Sequence, residues 1–365
     1  MRVNGVKMKR VGTKIYAIFA LLLLVVGELT VFCFAWQSVG RVFSALAGFL
    51  FALIFAPTVH ELGHLSFAKA KKMRLRYIKF FCFGVLVQNG KKRFRFENPF
   101  APEQTQVLPA CGGNMKKRAA AYAIGGLVFG GVFLALLLTV FFVCLSLSVT
   151  SYFLLGAIPY SAYLFLLNLP PFEYPSGKTD TLVYQGIRRD RDEEKVLLAC
   201  MEIQGGLAEG KSYSELDEKF YFDLPQLAEN VPVYAMNLFF RYYYHLEKGE
   251  LDRAGDALNR LASSADYLSL EEEETLAIEL LYMNSLFGNK EEADKCGNLC
   301  REALQEEKIN AKRALAAYSL AFGEKEKAEI LLGQAEALLP SVEIVGERKS
   351  EEIFLEKLKT RVKRV

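Results

Sequence analysis

The stretch PTVHELGHLSF, Pro57–Phe67, decides how this chain is read. It holds two of the three histidines, four residues apart, with a glutamate directly after the first. It follows FSALAGFLFALIFA, an apolar run without a charge. In a helix, positions i and i+4 project from one face about one turn apart, so His60 and His64 present two imidazoles to one point. That pair suits a tetrahedral zinc, at Zn–N distances of about 2.0–2.1 Å. Glu61, beside the open coordination position, is placed to take a proton from the water that zinc activates and to hand it to a leaving amine. Without a metal, histidine and glutamate buried in an apolar helix are a net cost. Gly63 is small enough for another backbone to approach closely.

The surrounding sequence puts this motif in a membrane. Hydrophobic residues make up 52% of the 365-residue chain, with 28 Phe, high for a soluble protein. A bilayer core takes about 20 apolar residues per helical pass. Ile15–Trp36 supplies one, interrupted only by Glu28, and Val42 to Ala68 a second with the histidines near its end. Residues 119–172 carry no charge over 54 positions, too long for one pass. The polar patch 146–151 divides them into passes near 119–146 and 152–169. The basic start followed by an apolar run imitates a signal peptide, but no small-residue cleavage site follows, so the segment reads as a retained anchor. Loop charge gives the orientation: the 69–118 loop carries 13 Lys/Arg against Glu97 and Glu103, and the segment before the first pass is also basic. Both termini and the long loop therefore belong in the cytoplasm of a multi-pass cell-membrane protein, with His60 and His64 near that face.

A catalytic zinc wants a third protein ligand. On the same side, just after the fourth pass, NLPPFEYPSGKTDTLV offers Asn168, Glu173 and Asp180 as oxygen donors. Pro170, Pro171 and Pro175 forbid a continuous helix there, and irregular backbone at that depth is tolerated only when protein or a water-filled cavity surrounds it.

With HExxH on one spanning helix and Asn168…Asp180 after a later one, residues 42–190 resemble the site-2 protease family of intramembrane zinc metalloproteases. That family follows HExxH with an Asn-x-x-Pro…Asp-Gly segment, and Asn168 and Pro171 match its opening. In the branch with a longer insert, KTDT fits with Asp180 as ligand and Thr181 in place of glycine; in the compact branch YPSG aligns, with Ser176 at the ligand position. The longer alignment keeps a carboxylate and is preferred, with Glu173 as the fallback. A second departure lies in pass three, where the family's Gly-Pro-x-x-Asn reads GGLVF, with Gly126 for proline and Phe129 for asparagine. The resemblance implies a zinc endopeptidase in which His60, His64 and Asp180 bind Zn2+, Glu61 is the general acid/base and Asn168 binds substrate.

VLVQNGKKRFRF reads as two alternating runs joined by Asn89-Gly90, a strong hairpin signal, and RLRYIKFFCF could add a strand. By the same resemblance such strands pair with an unwound substrate segment; the plainer reading is a basic hairpin resting on anionic headgroups. Beyond residue 189 the balance turns from a net +16 to −13. GELDRA, GNKEEA and GEKEKA, from Gly249, Gly288 and Gly323, repeat a turn glycine followed five residues on by Ala254, Ala293 or Ala328. This is the turn chemistry of tetratricopeptide-like helical hairpins, which suits a protein partner.

The expected fold is mostly α: a multi-pass transmembrane core of about four helices with a small membrane-proximal β-hairpin, then a soluble α-helical repeat domain. Its parts are an N-terminal anchor at 1–41, the metalloprotease core at 42–189 and a cytoplasmic helical domain at 190–365. The expected partners are a membrane-protein or peptide substrate and the lipid bilayer. The alternative to a protease is a catalytically impaired scaffold that recruits partners through the helical tail. No inverted repeat supports a transporter. The basic residues are accounted for by membrane orientation, so nucleic acid is not an expected partner. Seven irregularly spaced cysteines without a CxxC pair argue against a disulfide framework.

Overall fold

The structure, a computed structural model, describes residues 2–88, 91–99, 104–109, 113–144, 149–174, 177–228, 231–263, 268 and 270–364. The chain divides into two compact units, Met1–Leu108 with Asn114–Asp190, and Pro109–Gly113 with Arg191–Val365.

The first unit opens with two long helices, α1 (Arg2–Ala35) and α2 (Val39–Ala70). Strands β1 (Arg74–Phe80), β2 (Phe83–Gln88), β3 (Lys91–Phe96) and β4 (Gln104–Leu108) follow. Helices α3 (Met115–Val143) and α4 (Val149–Asn168), two-residue strands β5 (Glu173–Tyr174) and β6 (Gly177–Lys178), and the short α5 (Asp180–Arg188) complete it. Among the described residues four segments are long and apolar enough to cross a membrane: Gly12–Ala35, Val39–Ala70, Met115–Val143 and Thr150–Asn168. The four expected passes are present, within a few residues of their expected bounds.

The packing of α2 follows membrane rather than aqueous rules. Apart from Glu61, His64 and Leu65 near its end, its buried residues are small (Ala45, Gly48, Ala52, Ala56, Gly63, Ala68), whereas Phe43, Leu50 and Phe55 are turned outward. Lipid tails are as apolar as leucine, so helices gain by close backbone approach rather than by burying bulk. A Cβ on Gly48 would stand 1.9 Å from the Phe153 carbonyl oxygen, and one on Gly156 would stand 2.0 Å from that of Ala45. The same holds between α2 and α3, where a Cβ on Gly63 would stand 2.3 Å from the Gly125 carbonyl oxygen. Helix α2 is therefore held at two crossings, against α4 in its first half and against α3 beside the histidines. Helix α1 packs on α4: the Tyr16 hydroxyl donates to the Leu166 carbonyl (2.9 Å), and the Tyr152 hydroxyl donates to that of Phe34 (3.3 Å).

The four longer strands form an antiparallel sheet in the order β3-β2-β1-β4. The β2–β3 register pairs Gln88 with Lys91, as a two-residue connection requires; Asn89 and Gly90 themselves lie outside the described residues. The expected hairpin and its extra strand are there. Strand β4 is an addition, read from QTQVL only in hindsight because two of its five residues are glutamine, a poor strand signal. The sheet rests on the end of α2, where Ile78 and Val85 pack against Leu65.

The second unit is all helical: α6 (Asp192–Ala208), α7 (Lys219–Phe222), α8 (Pro232–Lys248), α9 (Leu251–Ala262), α10 (Leu270–Phe287), α11 (Lys290–Leu299), α12 (Ile309–Ala321), α13 (Lys325–Leu338) and α14 (Val345–Arg364). The pairs α8–α9, α10–α11 and α12–α13 are the expected three hairpins. Gly249, Gly288 and Gly323 close their first helices with φ of 78°, 73° and 84°, a conformation that favours glycine. Ala254, Ala293 and Ala328, at the start of the second helices, are fully buried, as close helix packing demands. The long α14 runs across the hairpins: Lys357 donates to the carbonyl of Leu246 on α8 (2.9 Å) and Arg361 to that of Leu286 on α10 (3.0 Å). On α12, the buried Arg313 bonds Glu351 of α14 and Glu279 of α10 at 2.9 and 2.8 Å.

Candidate metal centre

His60 and His64 lie one turn apart on α2, and their Nε2 atoms are 3.3 Å apart. Asp180 Oδ2 lies 3.2 Å from the first and 3.3 Å from the second. Four ligands placed tetrahedrally at about 2.0–2.1 Å from zinc stand about 3.3–3.4 Å from one another. The three heteroatoms thus form the base of such a tetrahedron, with one position left for water or substrate. Asp180 Oδ2 is itself buried and makes no hydrogen bond of good geometry, so its lone pairs are left for a cation. Burial pushes the Asp180 carboxyl up, but the two imidazoles outweigh it and hold the group down at about 2, an anion throughout the physiological range. The donor set of two imidazoles and one carboxylate fits zinc.

His64 is positioned by groups around it. His64 Nδ1 faces the Tyr122 carbonyl at 2.7 Å. A carbonyl only accepts, so Nδ1 carries a proton, which leaves Nε2 as the ring atom available to a metal shared with Asp180. The Tyr122 hydroxyl donates to the Thr105 carbonyl, and the Thr105 hydroxyl donates to the Glu61 carbonyl (3.2 Å). Strand β4 and helix α3 are thereby tied to the metal-facing turn of α2. Gly126 of α3 lies against the pair: a Cβ there would stand 2.4 Å from His64 Nε2 and 2.6 Å from His60 Nε2.

Asp180 is delivered by a closed loop. Thr179 caps α5, its hydroxyl accepting from the Leu182 amide (3.3 Å) and the Phe172 amide (3.2 Å) while donating to the Pro170 carbonyl (2.8 Å). Thr181, where the resembled motif has glycine, donates its hydroxyl to the Asn168 carbonyl (2.9 Å) and fastens α5 to the end of α4. Phe129, where that motif has asparagine, packs its ring on Phe67 of α2, at 6.4 Å between centroids.

The structure brings together His60, His64 and Asp180, the one group of the described residues arranged to hold a metal ion. Glu173 lies exposed in β5 and is not of the group; Ser176 lies outside the described residues. Glu61 is buried on α2, next to His60 in the chain. Asn168 lines a water-sized cavity of about 10 Å³ with His60, Gly130, Ser161 and Phe165, its side-chain amide donating to the Leu164 carbonyl at 3.3 Å. His245 belongs to the second unit, where it is buried beside Glu250 at 2.8 Å. Sequence reading passed over Tyr122, Thr105, Thr179 and the space at Gly126. Only Thr179 carried a local signal, as a threonine opening a helix. No known protein family, curated protein or solved structure matches the chain, so the site is read from its own geometry.

Proposed function

We propose that this chain is an intramembrane zinc metalloendopeptidase that hydrolyses membrane-embedded or membrane-proximal peptides near the cytoplasmic face. The observation that carries the reading is the triangle of His60, His64 and Asp180, with sides of 3.2–3.3 Å, beside a buried Glu61. A bound zinc supplies a Lewis acid that polarises the scissile carbonyl and makes water nucleophilic near neutral pH. Glu61 accepts the proton of the attacking water and returns it to the departing amine. Its presence favours an enzyme over a structural metal site, which has no use for a base. Asn168 lines the small cavity beside His60, on the proposed substrate side of the centre. Loop charge supports a topology in which the termini and the sheet face the cytoplasm.

The test has two readouts on the full chain in membranes. Purified protein is expected to carry one zinc, to lose it in Asp180→Ala and to keep it in Glu61→Gln. Comparison of membrane-protein fragments between cells with the native chain and with Glu61→Gln is expected to show products missing from the variant. Zinc at native level in Asp180→Ala, or identical fragments in both cell lines, would refute the assignment.

A further inference from the structure

The β2–β3 hairpin has two chemically distinct faces. Residues directly opposite across an antiparallel pair share a face. Phe83 pairs with Phe96, Val85 with Phe94 and Val87 with Lys92. On the other face lie Arg95, Arg93 and Lys91, opposite Gly84, Leu86 and Gln88. From Arg93 to Phe96 strand β3 alternates cation and phenylalanine, Lys92 joins the phenylalanine face, and every residue of KKRFRF is exposed.

The phenylalanine face is the one the sheet turns to α2. Val85 lies opposite Ile78 of β1, and both pack on Leu65; Thr105, on the same face through Ile78, bonds the Glu61 carbonyl. The helix covers only the inner part of that face. Farther out it stays bare, with Phe83 46%, Phe94 75% and Phe96 86% exposed, the rings of Phe83 and Phe96 being 5.5 Å apart. Two such side chains on one strand cost a soluble surface dearly, and a patch like this marks an interaction site. The helix this face packs on is long and apolar enough to cross a membrane, and Leu62, one turn before Leu65, is exposed on it.

We infer that the β2–β3 hairpin lies in the interface of the leaflet in which α2 ends, its phenylalanine face at the acyl boundary and its cationic residues on anionic phospholipid headgroups. Among the described residues Lys91, Lys92, Arg93 and Arg95 make no ion pair, so their charge is open to headgroup phosphates. The long stems of Lys92 and its neighbours allow the charged ends to reach headgroup level while the rings sink. Lipid is favoured over an added peptide strand. A peptide pairing with the free edge of β3 takes up backbone groups and leaves the bare side-chain face unexplained. This inference requires the membrane core only, and stands or falls independently of proteolysis.

The chain has one tryptophan, Trp36, so a Trp36→Phe background lets a single indole report depth. The full chain bearing Phe96→Trp, or Phe94→Trp as a second site, is reconstituted into vesicles with about one-third phosphatidylglycerol, an anionic content typical of a charged leaflet. Its indole is expected to emit at short wavelength, to be quenched by brominated acyl chains and to be shielded from aqueous acrylamide. Arg95→Trp, on the opposite face, is expected to behave the reverse way. Each basic side chain near an anionic leaflet favours partitioning by roughly five-fold. Replacing Lys91, Lys92, Arg93 and Arg95 by Gln, or using zwitterionic vesicles, is therefore expected to restore acrylamide access at residue 96 several-fold. Free access to acrylamide at both 94 and 96 in anionic vesicles would overturn the inference. So would equal depth in zwitterionic and anionic lipid, or shielding that arises only when a peptide is added.

Discussion

Replacing Gly126 by alanine tests the metal centre without touching a ligand. The added methyl would start 2.4 Å from His64 Nε2 and 2.6 Å from His60 Nε2, whereas carbon and nitrogen rest at about 3.4 Å or more. Close to 1 Å of relief must be found. Backing helix α3 away would give up the close backbone contact of Gly63 with Gly125, where notional Cβ atoms stand 2.3 and 2.6 Å from the facing carbonyl oxygens. The imidazoles must turn instead, and His64 can turn only by giving up the Tyr122 carbonyl at 2.7 Å. Losing one orienting partner of a ligand lowers metal affinity about 10–100-fold; displacing both nitrogens from a 3.3 Å spacing belongs at or above the upper end, about 2.7 kcal/mol. Competition with a chelator of known zinc affinity is expected to show a loss of at least 100-fold by this reasoning, with four-helix content unchanged by circular dichroism. Gly130→Ala is the control, since its methyl would lie 3.9 Å from His60 Nδ1, an ordinary contact, and zinc affinity should hold. Native zinc affinity in Gly126→Ala would mean that the two Nε2 atoms do not converge where the triangle puts them.

Thr179→Val strips a hydroxyl that satisfies two amides and one carbonyl of the Asp180 loop, and is expected to lower zinc affinity about 10–100-fold in the same titration, while Thr179→Ser retains it. Native affinity in the valine variant would show that the loop does not depend on this hydroxyl. Arg313→Met leaves Glu279 and Glu351 buried without their cation and is expected to destabilise the second unit by about 3–5 kcal/mol, read by hydrogen exchange of its helices in the full chain. Adding Glu279→Leu and Glu351→Leu should recover much of the loss; additive damage would refute the account. Both carboxylate oxygens of Glu28 on α1 are buried without a hydrogen-bond partner. Glu28→Leu is therefore expected to stabilise the detergent-solubilised chain by about 1–3 kcal/mol, and a fall in its melting temperature would assign Glu28 a role beyond packing.

What was legible in the sequence follows the range of each signal. The four passes rest on long apolar runs broken only by Glu28 and the HExxH glutamate, and α2–α4 are close to where those runs put them. The helical hairpins rest on glycines that must adopt positive φ, and Gly249, Gly288 and Gly323 do so. HExxH is a local pattern, so the pairing of His60 with His64 could be read directly. The groups that orient those imidazoles are another matter. Tyr122 acts through its main-chain carbonyl, which any residue would supply, and Thr105 sits on a short strand rich in glutamine. Gly126 matters for the atom it lacks, and only the crossing of α2 and α3 gives that absence a meaning. Such contacts are long-range in sequence and leave no periodicity to find.

The departures from the resembled motif bear on whether the site is working or relic. A scaffold that had lost its chemistry would be under no constraint to keep three ligand atoms at one spacing, and replaced motif positions would drift toward plain packing. Each replacement here instead has a task that leaves the triangle intact. Thr181 exchanges a glycine for a hydroxyl that anchors the Asp180 helix to Asn168. Phe129 fills the seam between α3 and α2 beside Phe67. Gly126 stands where the motif has proline, and its lack of a side chain is what leaves the two Nε2 atoms their room. Glu61 remains buried next to them, although a carboxylate held in an apolar helix is a liability unless it handles protons. Substitutions that weaken the motif as a string therefore coexist with local contacts that keep the His60, His64 and Asp180 triangle together, which supports the proposed hydrolase over a bare scaffold.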